Sequence, residues 1–217
     1  MLHRIMRFFF YNFYHTYAWT YDFVAALVSI GRWNDWIHTV IPYIQGNSIL
    51  EVGHGPGHLQ DLLIAENRLI VGLDESPQMG QLTKRRLEKA GHFKKNLTCA
   101  IAESLPFADG TFDTVLSTFP TEYIFDPQTL SAIYRVLHKN GRFVVLPSVW
   151  ITGQKFLDKS AAWLFKITGQ SPSISKCIIR DRINQLLEEA GFKSKFRTIE
   201  IKSSTVLLVI ASKLNGL

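Results

Sequence analysis

The stretch Ile49-Leu50-Glu51-Val52-Gly53-His54-Gly55-Pro56-Gly57-His58-Leu59 decides the fold of this chain. Its first residues have the apolar character of a buried strand, and the glycines then form a turn that opens a helix. The next apolar run, 69–73, ends at the carboxylate of Asp74. Glycines let a backbone approach a ligand closely, and a carboxylate after a second strand can accept hydrogen bonds from both ribose hydroxyls. The pattern therefore indicates the cofactor end of a nucleoside-binding α/β domain.

Composition and charge narrow the class of protein. The 217 residues suffice for a single domain with a substantial core. Mean hydropathy is +0.06, and no apolar run is long enough to span a bilayer. The formal net charge is +6, but no dense basic run accompanies it, so no nucleic-acid partner is predicted. We expect a cytoplasmic protein, with membrane association as the open alternative.

Cysteine and histidine usage predicts no metal site. Cys99 and Cys177 form neither a metal-ligand spacing nor a disulfide framework, which is typical of a reducing compartment. The seven histidines are dispersed and lack acidic or thiol companions at ligand spacing.

Strands and helices alternate after residue 45. This alternation predicts a Rossmann-like three-layer α/β sandwich, with a mostly parallel seven-stranded sheet and additional N-terminal helices. Only Lys202-Ser203-Ser204 joins the last two strands, which is too short for a crossover, so these strands must form an antiparallel hairpin. The predicted strands are 48–52, 69–73, 97–101, 112–118, 142–147, 195–201 and 205–212. The predicted helices are 3–30, 32–44, 58–66, 76–90, 127–138 and 178–190.

The whole chain, 1–217, is predicted to form one domain in four parts. These are an N-terminal helical lid (1–45), a cofactor-binding half (46–148), an inserted cap (149–176) and a C-terminal helix with the hairpin (177–217). About half of all Phe, Tyr and Trp residues lie in the first part. Aromatic rings with polar edges favour substrate pockets and membrane interfaces, so this part is a lid, a membrane contact or a helical layer packed on the sheet.

The glycine turn departs from the dinucleotide fingerprint. G-x-G-x-x-G would require a third glycine at His58, so a pyrophosphate site is disfavoured. The pattern Glu51-x-Gly53-x-Gly55-x-Gly57 instead resembles the first motif of class I S-adenosylmethionine-dependent methyltransferases.

Two further segments carry the same resemblance. Asp74 matches the family residue that holds the ribose hydroxyls, and residues 101–113 resemble the loop that lines the adenine ring. The resemblance covers residues 47–212. It is closest to the subgroup that contains quinone-biosynthesis methyltransferases and other small-molecule methyltransferases.

The resemblance implies S-adenosylmethionine as the cofactor. The backbone of Gly53 and Gly55 can approach its methionine part, and the Glu51 carboxylate lies near its ammonium. The subgroup commonly has Asp where this chain has Ile101, so the usual side-chain acceptor for the adenine amino group is missing, although backbone groups can still read the ring. The candidate cofactor-binding residues are Glu51, Gly53, His54, Gly55, Gly57, Asp74, Glu75, Ile101, Ala102, Glu103, Thr118 and Phe119.

Methyl transfer from a sulfonium is an in-line displacement in which positioning supplies much of the catalysis. A phenol, enol or amine acceptor can also need a base for its proton. The candidate bases are His15, His54, Glu122 and Tyr123. The structural alternatives are that His54 caps the turn and that Tyr123 belongs to the core.

The acceptor is expected to be small or lipid-like, and apolar or aromatic. By resemblance, Tyr17 and Tyr21 fold over the cofactor and form the acceptor pocket with Tyr123. The Asn/Asp-Pro-Pro-Tyr/Phe motif of amine methylases is absent after the fourth strand, which counts against methylation of nucleic-acid bases. We predict O-, N- or C-methylation of such an acceptor. The alternatives are a membrane-surface methyltransferase of a phospholipid headgroup or prenylated quinone, and a cofactor-binding protein without catalysis.

Overall fold

The computed structural model describes residues 32–93, 96–152 and 176–213. Within these ranges, seven strands form one sheet in the order β3-β2-β1-β4-β5-β7-β6. Neighbouring strands are parallel from β3 to β5, and β7 runs antiparallel to both β5 and β6. The strands are β1 (Ser48–Val52), β2 (Leu69–Asp74), β3 (Leu97–Cys99), β4 (Phe112–Thr118), β5 (Leu137–Ile151), β6 (Phe192–Ile201) and β7 (Ser204–Lys213). This topology confirms the predicted mostly parallel sheet with its antiparallel hairpin.

Helices cover both faces of the sheet. They are α1 (Trp33–Ile37), α2 (His58–Ala65), α3 (Pro77–Lys89), α4 (Pro127–Val136) and α5 (Lys176–Glu189). Short 3₁₀ segments are His38–Tyr43, Ala102–Ser104 and Glu122–Phe125. The predicted helix 32–44 is helical but divided, because the proline ring of Pro42 cannot continue an α-helix.

Alternate residues of each strand pack into separate layers. In β1, Ile49 faces a core that includes Trp36 and Val40, whereas Leu50 and Val52 face the opposite core. Trp36 and Val40 are both fully buried. Helix α1 and the 3₁₀ segment after it therefore pack against the core through these side chains.

Strand β5 is much longer than predicted. β5 was expected at 142–147 but begins directly after α4, where Leu137 pairs with Phe112. The polar residues 138–141 conceal this extension, because they have the composition of a turn. The pairing of β5 with β7 shifts register between Val145 and Ser148, around Pro147, which has no N–H to donate.

The described parts of the chain meet at one corner of the sheet's carboxyl edge. Arg32 donates a hydrogen bond to the Ser203 hydroxyl, and the Thr152 amide donates to the Ser203 carbonyl at 2.8 Å. The Lys202 ammonium lies 2.6 Å from the Asp35 carboxylate. The predicted helix 3–30, with His15, Tyr17 and Tyr21, and residues 153–175 of the predicted cap lie outside the described residues. Within the described ranges, no helix is long and apolar enough to cross a membrane.

Candidate active site

The glycine turn 53–57 lies at the carboxyl edge of the sheet, between β1 and α2. Gly53 and Gly57 have φ of 74° and 80°, which side chains rarely adopt. A Cβ at Gly53 would lie 2.3 Å from the Tyr123 hydroxyl, and one at Gly57 would lie 2.4 Å from Thr83 Cγ2. Both positions therefore require glycine for two independent reasons.

Nearly every backbone polar group of this turn has a partner within the described residues. Its N–H groups donate to the Leu73 carbonyl (from Gly53 and His54), to Asp74 Oδ2 (from Gly55) and to the His54 carbonyl (from Gly57). The carbonyls of Gly55, Pro56 and Gly57 also accept hydrogen bonds, from Thr83, Arg86 and Asp61 respectively. The exception is the Gly53 carbonyl, which accepts none from the described residues. It is therefore available to a ligand that carries a hydrogen-bond donor.

Asp74 ties the end of β2 to the glycine turn. Its Oδ2 accepts from the Gly55 amide at 2.8 Å, and its Oδ1 accepts from the Ser76 amide at 2.9 Å. An ionised carboxylate offers about four acceptor sites, so each oxygen keeps one for a ligand. Two adjacent acceptors of this kind match the two hydroxyls of a ribose. Glu75, the next residue, is exposed.

Glu51 is a buried carboxyl group beneath the turn. Its side chain is 1% exposed and accepts a hydrogen bond from Gln60 Nε2 at 2.8 Å. Burial raises the pKa of Glu51 from 4.5 to about 8; the Gln60 hydrogen bond opposes this shift, and the nearby Asp74 charge adds to it. The carboxyl is thus largely protonated at neutral pH until a positive charge approaches it.

His54 is held inside the turn. Its Nδ1 lies 2.8 Å from the Gly55 carbonyl, which can only accept, so Nδ1 carries the hydrogen. Burial lowers the pKa of His54, against the opposing effect of the Asp74 charge, so the ring is neutral at physiological pH. These contacts match the structural alternative considered for this residue, a histidine that caps the turn.

Tyr123 lies over Gly53, and Glu122 lies beside it at the surface. Tyr123 is partly buried in the 3₁₀ segment after β4. The hydroxyl of Ser117, at the end of β4, donates to the Val52 carbonyl at 2.7 Å. Burial, and then the Asp74 charge, raise the pKa of Tyr123 well above its ordinary value. Its phenol is therefore a hydrogen-bond donor rather than a base at physiological pH. Glu122 is exposed.

The segment after β3 supplies an apolar surface. Ile101 is 51% exposed, which is unusual for a large apolar side chain, whereas Ala102 beside it is buried. Glu103 is exposed at the start of the following 3₁₀ turn. An uncharged aromatic base would cover the exposed side chain of Ile101.

Thr118 ends β4, and Phe119 follows it in a strained conformation. Phe119 has φ of 51°, uncommon for a bulky residue, and its amide donates to the Leu146 carbonyl at 2.8 Å. Its ring centroid lies 4.3 Å from that of Trp33. Phe119 therefore links the site to the aromatic layer that begins at α1.

Sequence reasoning missed the residues that support the turn from neighbouring helices. Gln60 and Thr83 are buried, and each lies among apolar residues on the inner face of its helix. A polar residue on an apolar stripe was the available signal for both. Arg86 and Ser117 lack such a signal, because their bonds to Pro56 and Val52 depend on contacts that only the folded chain forms. The described residues contain no group of three or more metal-ligating side chains.

Substituting Gly57 with alanine is expected to remove cofactor binding and to destabilise the fold by about 2 kcal/mol or more. The added methyl group must enter space held by the Thr83 side chain, at a backbone angle unfavourable to alanine. Gly80 of α3 is the matched control, because its Cβ would have no neighbour within 4 Å. Gly80→Ala should raise stability by about 0.5–1 kcal/mol. Thermal unfolding and calorimetric titration would check both, and normal binding by Gly57→Ala would contradict this account of the turn.

The parallel sheet, the glycine turn and Asp74 together define a nucleoside-binding α/β protein of the Rossmann-like class. Residues 50–145 match a family described as a methyltransferase domain. The chain is 33% identical over 142 residues to the ubiquinone/menaquinone biosynthesis C-methyltransferase of Geotalea uraniireducens, covering 61% of this chain and 60% of that protein. It is 29% identical over 208 residues to the demethylmenaquinone methyltransferase of Symbiobacterium thermophilum, covering 81% of each. Residues 50–145 therefore form a methyltransferase domain, and the relatives support assignment of the chain to the class I S-adenosylmethionine-dependent methyltransferases.

A solved structure shows the same fold. A Methanococcus maripaludis protein assigned to the S-adenosylmethionine-dependent methyltransferases superposes with a TM-score of 0.69 at 18% identity, covering 92% of this chain and 93% of that one. The family and its cofactor thus agree with the prediction from sequence. The chain spans about 60% of the length of the Geotalea relative.

Proposed function

We propose that this protein transfers a methyl group from S-adenosylmethionine to a ring carbon of a lipophilic quinol. The observation that carries this proposal is the similarity to two relatives named for quinone methylation, one of which aligns over 81% of both chains. The aromatic surface of Phe119 and Trp33 at the carboxyl edge supports an apolar, planar acceptor.

We propose that the described residues hold the cofactor at three points. Asp74 accepts from the ribose hydroxyls, the Gly53 carbonyl accepts from the ammonium, and Ile101 with Ala102 packs against the adenine. This set fits the cofactor chemically, because it offers acceptors for donors and an apolar surface for an uncharged ring. When bound, the cofactor supplies an electrophilic methyl group on a sulfonium. The protein's own contribution is to hold the acceptor in line with that methyl group.

A quinol carbon becomes a stronger nucleophile when its hydroxyl loses a proton. Among the three candidate bases within the described residues, we assign this role to Glu122, because its carboxylate is exposed at the carboxyl edge. His54 is only 5% exposed, so its ring cannot reach an acceptor, and the raised pKa of Tyr123 keeps its phenol neutral. We propose that Tyr123 donates a hydrogen bond within the site instead.

A prenylated acceptor resides in a membrane, so we propose that the protein works at the cytoplasmic membrane surface. The formal net charge of +6 would favour an anionic bilayer. Flotation with anionic vesicles should compare the full chain with a variant lacking residues 1–31, because a deletion to residue 44 would remove the buried Trp36. Equal flotation of both forms would exclude the predicted contact through the N-terminal segment.

The acceptor can be tested with isotope-labelled S-adenosylmethionine and a short-chain prenyl naphthoquinol, using phosphoethanolamine as the comparison substrate. We expect label on a ring carbon of the quinol and none on the amine. Glu122→Gln should lower kcat by about 100-fold while leaving binding of S-adenosylhomocysteine unchanged, as expected for loss of a general base. Transfer to phosphoethanolamine would favour the headgroup alternative. Cofactor binding without transfer to either acceptor would favour a protein without catalysis.

A further inference from the structure

Helix α3 contacts the glycine turn through one buried hydroxyl. Thr83 is fully buried, and its Oγ1 lies 2.7 Å from the Gly55 carbonyl and 3.1 Å from His54 Nδ1. The carbonyl can only accept, so Thr83 donates its single hydroxyl hydrogen to Gly55. His54 Nδ1 lies 2.8 Å from the same oxygen. The Gly55 carbonyl thus accepts hydrogen bonds from two buried side chains.

These bonds fix the orientation of successive peptide planes. The Gly55 carbonyl is directed at Thr83, and the next carbonyl, of Pro56, accepts from Arg86 Nε at 2.7 Å. Thr83 and Arg86 are three residues apart and therefore lie on one face of α3. On the other side of Gly55, its amide is held by Asp74 at 2.8 Å. The preceding plane, which carries the Gly53 carbonyl, is held by the His54 amide, which donates to the Leu73 carbonyl at 3.2 Å. The Gly53 carbonyl itself has no partner among the described residues.

We propose that Thr83 is a positioning residue for the amino-acid end of S-adenosylmethionine. By holding the Gly55 carbonyl, its hydroxyl sets the conformation in which the turn presents the Gly53 carbonyl to the ammonium. This inference rests on the proposed contact between that carbonyl and the cofactor. Adenosine binding depends on Asp74 and the segment after β3, so it should not depend on Thr83.

A packing role for Thr83 makes a different prediction. Thr83 Cγ2 occupies the space beside Gly57, 2.4 Å from where a Cβ would lie, so the methyl group alone could support the turn. Thr83→Ser removes this methyl group and keeps the hydroxyl, whereas Thr83→Ala removes both. The difference between the two variants isolates the hydrogen bond.

The test is calorimetric titration of wild type, Thr83→Ser and Thr83→Ala with two ligands. S-adenosylhomocysteine carries the amino-acid end, and 5′-methylthioadenosine lacks it. We expect Thr83→Ala to weaken binding of S-adenosylhomocysteine by about 5- to 10-fold, the effect of one net hydrogen bond, and binding of methylthioadenosine by less than about 2-fold. Thr83→Ser should restore wild-type affinity for both ligands. Thermal unfolding of each variant would confirm that the fold persists.

Three outcomes would overturn the proposal. Equal losses in Thr83→Ser and Thr83→Ala would assign the effect to the methyl group. Equal weakening of both ligands would indicate general loosening of the site. Unchanged binding by Thr83→Ala would exclude the positioning role of Thr83 and leave the proposed cofactor site intact. A separate result, a wild type that binds neither ligand, would refute the proposed cofactor contacts themselves.

Discussion

Asp74→Asn is expected to weaken binding of S-adenosylhomocysteine by about 100-fold, since hydrogen bonds to a charged group contribute about 1.5–3 kcal/mol each. The carboxylate accepts from the Gly55 and Ser76 amides and keeps two further acceptor sites for the ribose. An asparagine has only one acceptor oxygen, so its NH₂ group would face one of these backbone donors. The substitution therefore removes a ribose contact and disturbs the glycine turn together.

Ser76→Ala is the matched control, because it should lower the stability of the protein without lowering its affinity for the cofactor. The Ser76 hydroxyl accepts from the Met79 amide at 3.3 Å and caps α3, so its loss should cost about 1 kcal/mol of stability. The Ser76 amide that bonds to Asp74 is retained, and cofactor affinity should stay at the wild-type value. If both variants lost affinity in proportion to their unfolding temperatures, Asp74 would be a structural residue and the assigned ribose contact would be wrong.

The sequence predicted the parts of the fold that local patterns encode. The apolar run ending at Asp74 and the short connection at Lys202-Ser203-Ser204 carried enough information to place β2 and the terminal hairpin. The start of β5 at Leu137 was missed, since its pairing with Phe112 is separated from the rest of the strand by residues 138–141, which resemble a turn. Register between distant strands is a tertiary property, and local composition does not reveal it.

At the candidate site, too, local patterns predicted some residues and missed those whose roles depend on tertiary packing. Asp74 and the glycines stand out because ligand approach constrains residue type at fixed spacing. Thr83 lies 28 residues beyond Gly55, and its role depends on how α3 packs against the turn. The ionisation of Glu51 likewise depends on burial, which a motif does not report.

Stability should fall as pH rises, and Glu51 is the reason. Its pKa is about 8 in the folded protein and 4.5 in its ordinary state, so between these values the unfolded chain binds fewer protons than the folded one. The free energy of unfolding therefore decreases with pH across this window, by about 1.4 kcal/mol per pH unit at its steepest. The contribution of Glu51 to stability is fully present below pH 4.5 and is lost as the pH rises through its folded-state pKa. Denaturant unfolding at pH 5, 6, 7 and 8 would measure the decrease in the free energy of unfolding.

Glu51→Gln should flatten this pH profile, because the amide resembles the protonated carboxyl and does not titrate. The variant should match wild type near pH 5 and exceed it in stability near pH 8. The Gln60 amide can still donate to the new carbonyl oxygen, so the buried hydrogen bond at 2.8 Å is retainable. A wild-type profile that is flat or rises over this range would contradict the assignment of a protonated Glu51.

Cofactor binding should release close to one proton at pH 7. The proposed contact of the ammonium with the Gly53 carbonyl brings a positive charge next to Glu51, and an adjacent opposite charge favours the ionised carboxylate. Calorimetry with S-adenosylhomocysteine in two buffers of different ionisation enthalpy measures this proton directly. Glu51→Gln should bind the same ligand more weakly and with no buffer dependence. Equal proton release by wild type and variant would place the ionising group elsewhere, and no release by wild type would show that Glu51 does not meet the ammonium.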